Sequence, residues 1–262
     1  MRTQLASTLQ IARVATSFAI FGVCVPLIGL IGPSAAYFMN RDPLQREVRM
    51  QRAVHHAARI YLRLIERIGA LRLAGYGVER LGEVGPHLVV ANHPTLVDVL
   101  VLLASMPQAD CIVSKERADN ILLRRLIRAC GYLRNDGGIA IVDECADRLR
   151  AGRSLLIFPE GTRSPNRGLR RLQRGAAYIA LRARCDLLPV TISCDPPMLG
   201  KEQKWYDLGD RPSRLTVVVR EPIATESVLN SGVASPLAAR RLTSQIRESL
   251  EKGLDIVDVG IS

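Results

Sequence analysis

The chain is expected to fold as an α/β domain, a mixed sheet flanked by helices, with an apolar helical membrane anchor at its N-terminus. Three observations lead there. From about residue 73, short apolar runs of strand length alternate with stretches of helical periodicity. Between Arg13 and Arg41 no side chain carries a formal charge. The whole chain, 262 residues with 48% hydrophobic and 23% charged, has the composition of a globular protein long enough to bury a full core.

The elements follow in order. The uncharged run Val14 to Phe38 exceeds the roughly 20 residues a helix needs to cross a bilayer. Pro26 sits near its middle, among Gly22, Gly29, Gly32 and Pro33. A single spanning helix, a hairpin hinged at Pro26 that dips into one leaflet, and a cleaved signal peptide ending near Ala35–Ala36 are all compatible with this stretch. Arg2 and Arg13 precede it, whereas Arg41, Arg46, Arg49, Arg52 and Arg59 follow closely. The positive-inside rule therefore places the downstream domain on the cytoplasmic face of a membrane, expected to be a bacterial inner membrane.

Residues 44–72 read as a long helix, apart from a pause at Gly69. Arg49, Arg52, His56, Arg59, Arg63 and Arg67 recur at steps of three or four and stack as one basic stripe. Met50, Val54, Ala57, Tyr61, Ile65 and Ile68 form an adjoining apolar face. Such a stripe is either a solvated helix side or a surface laid against acidic headgroups. The expected organisation is a membrane-associating segment at 1–43, a basic amphipathic helix at 44–72 and an α/β domain at 73–262.

Within that domain, strands are expected at 87–91, 111–114, 154–158, 187–193 and 215–219. Helices are expected at 96–105, 120–130, 139–150, 172–182 and 237–254. Gly131 and Gly152 stop two of the helices, and Pro159 halts a strand.

The formal net charge of +11 favours a polyanionic neighbour, either nucleic acid or an acidic membrane surface. Aromatic content of 4% argues against base-stacking surfaces. There is no zinc-finger spacing and no helix-turn-helix signal, so nucleic acid is not an expected partner. The six cysteines (24, 111, 130, 145, 185 and 194) form no C-x-x-C unit and no metal spacing with the histidines. They read as buried, reduced thiols, and no metal is expected.

Two motifs carry chemistry. Asn92-His93-Pro94-Thr95-Leu96-Val97-Asp98 follows a strand and opens a helix. Asp98 can meet one ring nitrogen of His93 and leave the other facing a cleft, the arrangement of a general base. Thr95-x-x-Asp98 equally matches a helix capping box, in which Asp98 serves only backbone groups. The second motif, Phe158-Pro159-Glu160-Gly161-Thr162-Arg163, surfaces at the end of a buried strand, where open α/β sheets form their crevices. Gly161 permits a tight turn, Arg163 offers a guanidinium fork, and Glu160 can accept from hydroxyls or amines. A salt bridge closing an exposed loop is the simpler use of the same residues.

Together, in this order and spacing, the motifs resemble those of the glycerolipid and lysophospholipid acyltransferase family, over residues 87 to about 191. The later block Leu188-Pro189-Val190 and the helix start Gln173-Arg174-Gly175-Ala176 agree with it. The resemblance implies an α/β acyltransferase, with His93 as base and Asp98 as its orienting partner. Glu160, Gly161, Thr162 and Arg163 would contact the acceptor. It further implies an acyl-CoA or acyl-carrier-protein donor used as a substrate, no cofactor, and direct attack without an acyl-enzyme. One block departs. Where the family usually places a strand ending in a phosphate-holding arginine, this chain reads Gly131-Tyr132-Leu133-Arg134-Asn135-Asp136. Arg134 and Asn135 are the candidate acceptor contacts there. Asp136 would repel a phosphate, which brings an aminolipid, another lysolipid or a specialised lipid or pigment precursor into consideration. A serine hydrolase lacks its Gly-x-Ser-x-Gly elbow here, and no phosphate-binding loop is present.

Overall fold

The computed structural model describes residues 2–39, 41–83, 86–136, 138–209, 211–229 and 236–258. Seven strands among them form one sheet: β1 (Leu71–Tyr76), β2 (Leu88–Ala91), β3 (Asp110–Ser114), β4 (Leu133–Asn135), β5 (Leu155–Ile157), β6 (Leu187–Asp195) and β7 (Ser213–Val219). Their spatial order is β1-β7-β6-β2-β5-β3-β4. Only β6 and β7 run antiparallel; every other neighbouring pair is parallel, so the sheet is mixed.

Helices cover both faces. They are α1 (Arg2–Met39), α2 (Pro43–Arg67), α3 (Asp98–Ser105), α4 (Lys115–Asp119), α5 (Arg124–Ala129), α6 (Ala140–Arg150), α7 (Gly175–Ala183), α8 (Glu226–Leu229) and α9 (Pro236–Asp258). Alternate strand residues go to opposite cores. Val89, Ala91, Leu156, Leu188 and Val190 pack with Met50, Val54 and Leu102 of α2 and α3. Leu88, Val90, Leu155 and Leu187 pack with Leu149, Ile179 and Leu242 of α6, α7 and α9. Two-sided burial explains why the strands read as unbroken apolar runs rather than alternating ones. In β2 all four residues are 0% exposed, which makes it the centre of the molecule.

For the N-terminal segment the structure shows one of the forms that the sequence left open. α1 is a single helix from Arg2 to Met39, with Pro26 and Pro33 inside it, not a hairpin hinged at Pro26. Each proline removes one backbone hydrogen bond, but docking along the domain holds the flanking turns. The Gln10 side chain donates to Ala70 O at 2.8 Å, and the Tyr61 hydroxyl donates to Ser17 O at 3.3 Å. Farther along, Gly29 lies against Leu126 of α5 and Gly32 against Met50 of α2. The outward positions Val23, Leu27, Leu30, Ile31 and Phe38 remain exposed.

α2 starts where Asp42 Oδ1 accepts from Leu44 N at 3.0 Å, with Pro43 at the first helical position. It stops at Gly69, which takes the left-handed conformation (φ 73°). Leu71 and Arg72, expected in the helix, therefore begin β1 instead. The arginine stripe is as expected: Arg49, Arg52, His56, Arg59, Arg63 and Arg67 are all exposed, while Met50, Val54 and Ile65 are buried.

The same helix is pinned to the sheet by a buried ionic knot. Asp110, 0% exposed at the start of β3, accepts from Arg153 Nε at 2.7 Å and from Arg153 Nη2. Gln51 Nε2 donates to it at 2.9 Å, and Arg148 Nη1 approaches at 3.3 Å. Arg153 also donates to Glu47 at 2.9 Å. The knot sits at the end of the sheet where the parallel strands begin. The motifs lie at the other end.

Candidate active site

β2 and β5 are parallel neighbours, with Val90 beside Ile157. The residues that leave their carboxyl ends, Asn92-His93 and Phe158-Pro159, consequently emerge side by side. Asn92 extends the pairing of β2 with β6 by side chain: Nδ2 donates to Ile192 O at 2.7 Å and Oδ1 accepts from Ile192 N at 2.6 Å. Ser164 ties the two motifs together. Its backbone N donates to His93 O at 2.7 Å, and its hydroxyl accepts from His93 N at 2.9 Å.

His93 Nδ1 lies 2.8 Å from Asp98 Oδ2. An ionised carboxylate only accepts, so Nδ1 carries the hydrogen and Nε2 of the neutral ring keeps its lone pair. Asp98 is 0% exposed and also accepts from Thr95 N at 2.7 Å and from the Thr95 hydroxyl. The two readings of this aspartate are thus not alternatives. One carboxylate closes the turn into α3 and orients the imidazole at once. Phe158 stacks on the imidazole, with ring centroids 4.4 Å apart. Nε2 is buried and has no hydrogen-bond partner among the described residues.

His93 forms part of the wall of a cavity of about 760 Å³, within the roughly 300–1,000 Å³ of ligand pockets. Leu96, Gly161 and Thr162 line it beside His93, and Phe18, Phe21 and Ile28 line it from α1. Its wall is mainly apolar.

The second motif divides between cavity and scaffold. Gly161 and Thr162 face the cavity, and Gly161 needs its left-handed backbone (φ 67°). A Cβ there would sit 2.6 Å from Gln173 Nε2. Gly161→Ala is expected to destabilise the protein by roughly 1–2 kcal/mol, measured as a lowered midpoint in chemical denaturation. Glu160, expected to meet the acceptor, is buried and committed to the loop. It accepts from the Ser164 hydroxyl and from Arg170 N at 2.7 Å. Arg163 Nη1 donates to the carbonyls of Leu199 and Gly200 at 2.7 and 2.9 Å. Burial, and then the nearby Arg117 guanidinium, push the Arg163 pKa down from its usual value. Arg117 itself lines the cavity.

Of the remaining candidates, Asn135 borders the cavity, whereas Arg134 points to the exposed edge. There it pairs with Asp119 at 3.0 Å and Asp136 at 2.6 Å. Asn92, Phe158 and Ser164 escaped a reading focused on titratable groups, although all three stand inside or beside the motifs. The thiol near the pair is no nucleophile. Burial, then the charge of Asp98, raise the pKa of Cys194 to about 12, which keeps it protonated.

A His–Asp pair and a Glu-Gly-Thr-Arg turn thus stand at adjoining strand ends of one α/β domain. The family model described as Acyltransferase matches residues 72–193. Among curated relatives, 1-acyl-sn-glycerol-3-phosphate acyltransferase beta of Homo sapiens is 25% identical over 180 residues, covering 66% of this chain and 63% of its own. The 1-acyl-sn-glycerol-3-phosphate acyltransferase of Helicobacter pylori is 29% identical over 136 residues, covering 46% of this chain and 54% of its own. The matches span about half to two thirds of the length of such relatives. The crystal structure of the 1-acyl-sn-glycerophosphate (LPA) acyltransferase PlsC from Thermotoga maritima shares the fold, with a TM-score of 0.75 over 100% of both chains at 19% identity. Over residues 72–193 the chain matches the Acyltransferase family model, and it is similar to 1-acyl-sn-glycerol-3-phosphate acyltransferases.

Proposed function

We propose that the protein transfers a fatty acyl group from an acyl thioester, acyl-CoA or acyl-carrier protein, to the free hydroxyl of a lysolipid, with 1-acylglycerol-3-phosphate as the first acceptor to test. The observation that carries this reading is the His93 imidazole in the wall of a largely apolar cavity, with Nδ1 held by Asp98 and Nε2 left without a hydrogen-bond partner among the described residues. Nε2 takes the proton as the acceptor oxygen attacks the thioester carbonyl. The tetrahedral intermediate then collapses, the C–S bond breaks, and the thiolate leaves and is protonated. Asp98 steadies the imidazolium formed in between. The cavity suits an acyl chain, and Arg117 in its wall supplies positive charge for an anionic headgroup.

Membrane association belongs to the same reading. The most apolar 18-residue window within Ser7–Met39 has a mean hydropathy of 2.3, and only 17% of it is buried. Because α1 docks along α2, crossing the bilayer would drag the α2 arginines into hydrocarbon, at a cost of ~2.5–3.5 kcal/mol each. We place α1 in one leaflet, parallel to the surface, with the domain on the cytoplasmic side.

A second acceptor class has its own support. Arg134 is paired with Asp119 and Asp136, so its guanidinium is not free to hold a phosphate. The deciding assay offers purified protein both donors with lysophosphatidic acid, neutral lysolipids and aminolipids, and measures acylated product against free fatty acid. Product formed only with neutral or amine acceptors would exclude the phosphate ester, and fatty acid release without any acceptor would mark a thioesterase. Asp98→Asn is expected to reduce kcat more than KM, because the amide supports the turn but stabilises the imidazolium poorly. A variant that loses only thermal stability, at full turnover per folded molecule, would restrict Asp98 to its capping role.

A further inference from the structure

The segment after β6 holds a feature that acyl transfer does not use. Trp205 and Tyr206 stand side by side on the surface, 45% and 46% exposed, with ring centroids 5.5 Å apart. Trp205 also meets Phe18 of α1 edge-on at 6.3 Å, and the Lys204 ammonium lies 5.6 Å from the centre of the Tyr206 ring. The segment is built, not loose. Gln203 accepts from Gly200 N at 3.2 Å and donates to Pro197 O at 3.0 Å, and Arg163 holds the carbonyls of Leu199 and Gly200. Leu199, kept in the left-handed region (φ 54°), lines the cavity with Met198.

Large rings with one apolar body and one polar tip partition to the headgroup–hydrocarbon boundary, and lysine reaches outward from the same depth. The patch is continuous, through Phe18, with the apolar α1, whose outward side chains are exposed. Local charge does not explain the patch, since Lys201 and Lys204 are balanced by Glu202 and Asp207. We infer that residues 201–207 are a bilayer-interface anchor that inserts Trp205 and Tyr206 at the level of the lipid glycerol groups and seats the Met198–Leu199 side of the cavity there. This rests on the membrane reading above. The occupant is the bilayer interface itself, and anchoring here depends on the rings and not on lipid charge.

The test uses the 262-residue chain, in which Trp205 is the only tryptophan, so all indole emission reports this site. The protein is bound to phosphatidylcholine vesicles, with and without phosphatidylglycerol, carrying phosphatidylcholine brominated at shallow or deep acyl positions. Binding is confirmed by flotation. The expected result is a blue shift of Trp205 emission with stronger quenching from shallow than from deep bromines, alike in both lipid mixtures. In a Trp205→Ala/Tyr206→Ala variant with an unchanged melting profile, KM for a vesicle-borne acceptor should rise while kcat holds. Protein that floats with vesicles while Trp205 emission stays unshifted and unquenched would overturn the anchor and leave membrane association standing. Protein that does not float would overturn both. An emission shift that follows protein concentration in detergent, without vesicles, would make the patch an interface between proteins and also overturn the proposal.

Discussion

Replacing His93 with alanine is expected to lower kcat/KM for acyl transfer by about 10²–10⁴-fold, the usual contribution of a positioned general base. The fold should survive. Both backbone contacts of residue 93 go to Ser164, and these are independent of the side chain. What is lost is the ring that Asp98 orients and Phe158 covers. Asp98 keeps its two bonds from Thr95, so the turn into α3 remains satisfied. Kinetics beside a thermal melt separate the effects. A variant that melts normally and turns over at the parent rate would remove His93 from the chemistry.

The largest stability effect is expected far from that site. Arg153→Ala leaves Asp110, which has no exposure to solvent, without its two-pronged partner, and should cost about 3–5 kcal/mol in chemical denaturation. Arg148 and Gln51 still reach the carboxylate, but each from one atom and neither replaces the fork. Arg153→Lys keeps the charge and loses the planar geometry, so its cost should fall between the alanine variant and the parent. Equal stability of the parent and Arg153→Ala would mean that the knot contributes no net stabilisation. Glu47 and Gln51 belong to α2, so loosening this knot should also increase hydrogen exchange in that helix.

Much of this architecture was legible because the physics is local. The central strands appear as apolar runs since each is covered on two faces, and the stops at Gly131, Gly152 and Pro159 fall where helices and strands end. The pairing of His93 with Asp98 follows from a five-residue span across a single strand-to-helix turn. The work of Glu160 was not legible, because its partners are a hydroxyl four residues on and the backbone N–H of Arg170. Nothing in a Glu-Gly-Thr-Arg string tells a carboxylate aimed at a ligand from one that closes its own loop. Arg134 is similar, its charge being absorbed by Asp119 from a different element. The continuity of α1 through Pro26 depends on surfaces supplied by α2 and α5, which no window on residues 14–38 contains. The cavity is likewise assembled from side chains as far apart as Phe18 and Ile179.

The central claim is that His93 Nε2 receives a proton from the acceptor and never carries the acyl group. Rapid-quench single turnovers with a thioester labelled in its acyl chain test this directly, run with and without lysophosphatidic acid. Without acceptor the protein should stay unlabelled; with acceptor, label should pass from thioester to lipid in one phase. Acyl label bound to the protein, formed and discharged as fast as product appears, would contradict it.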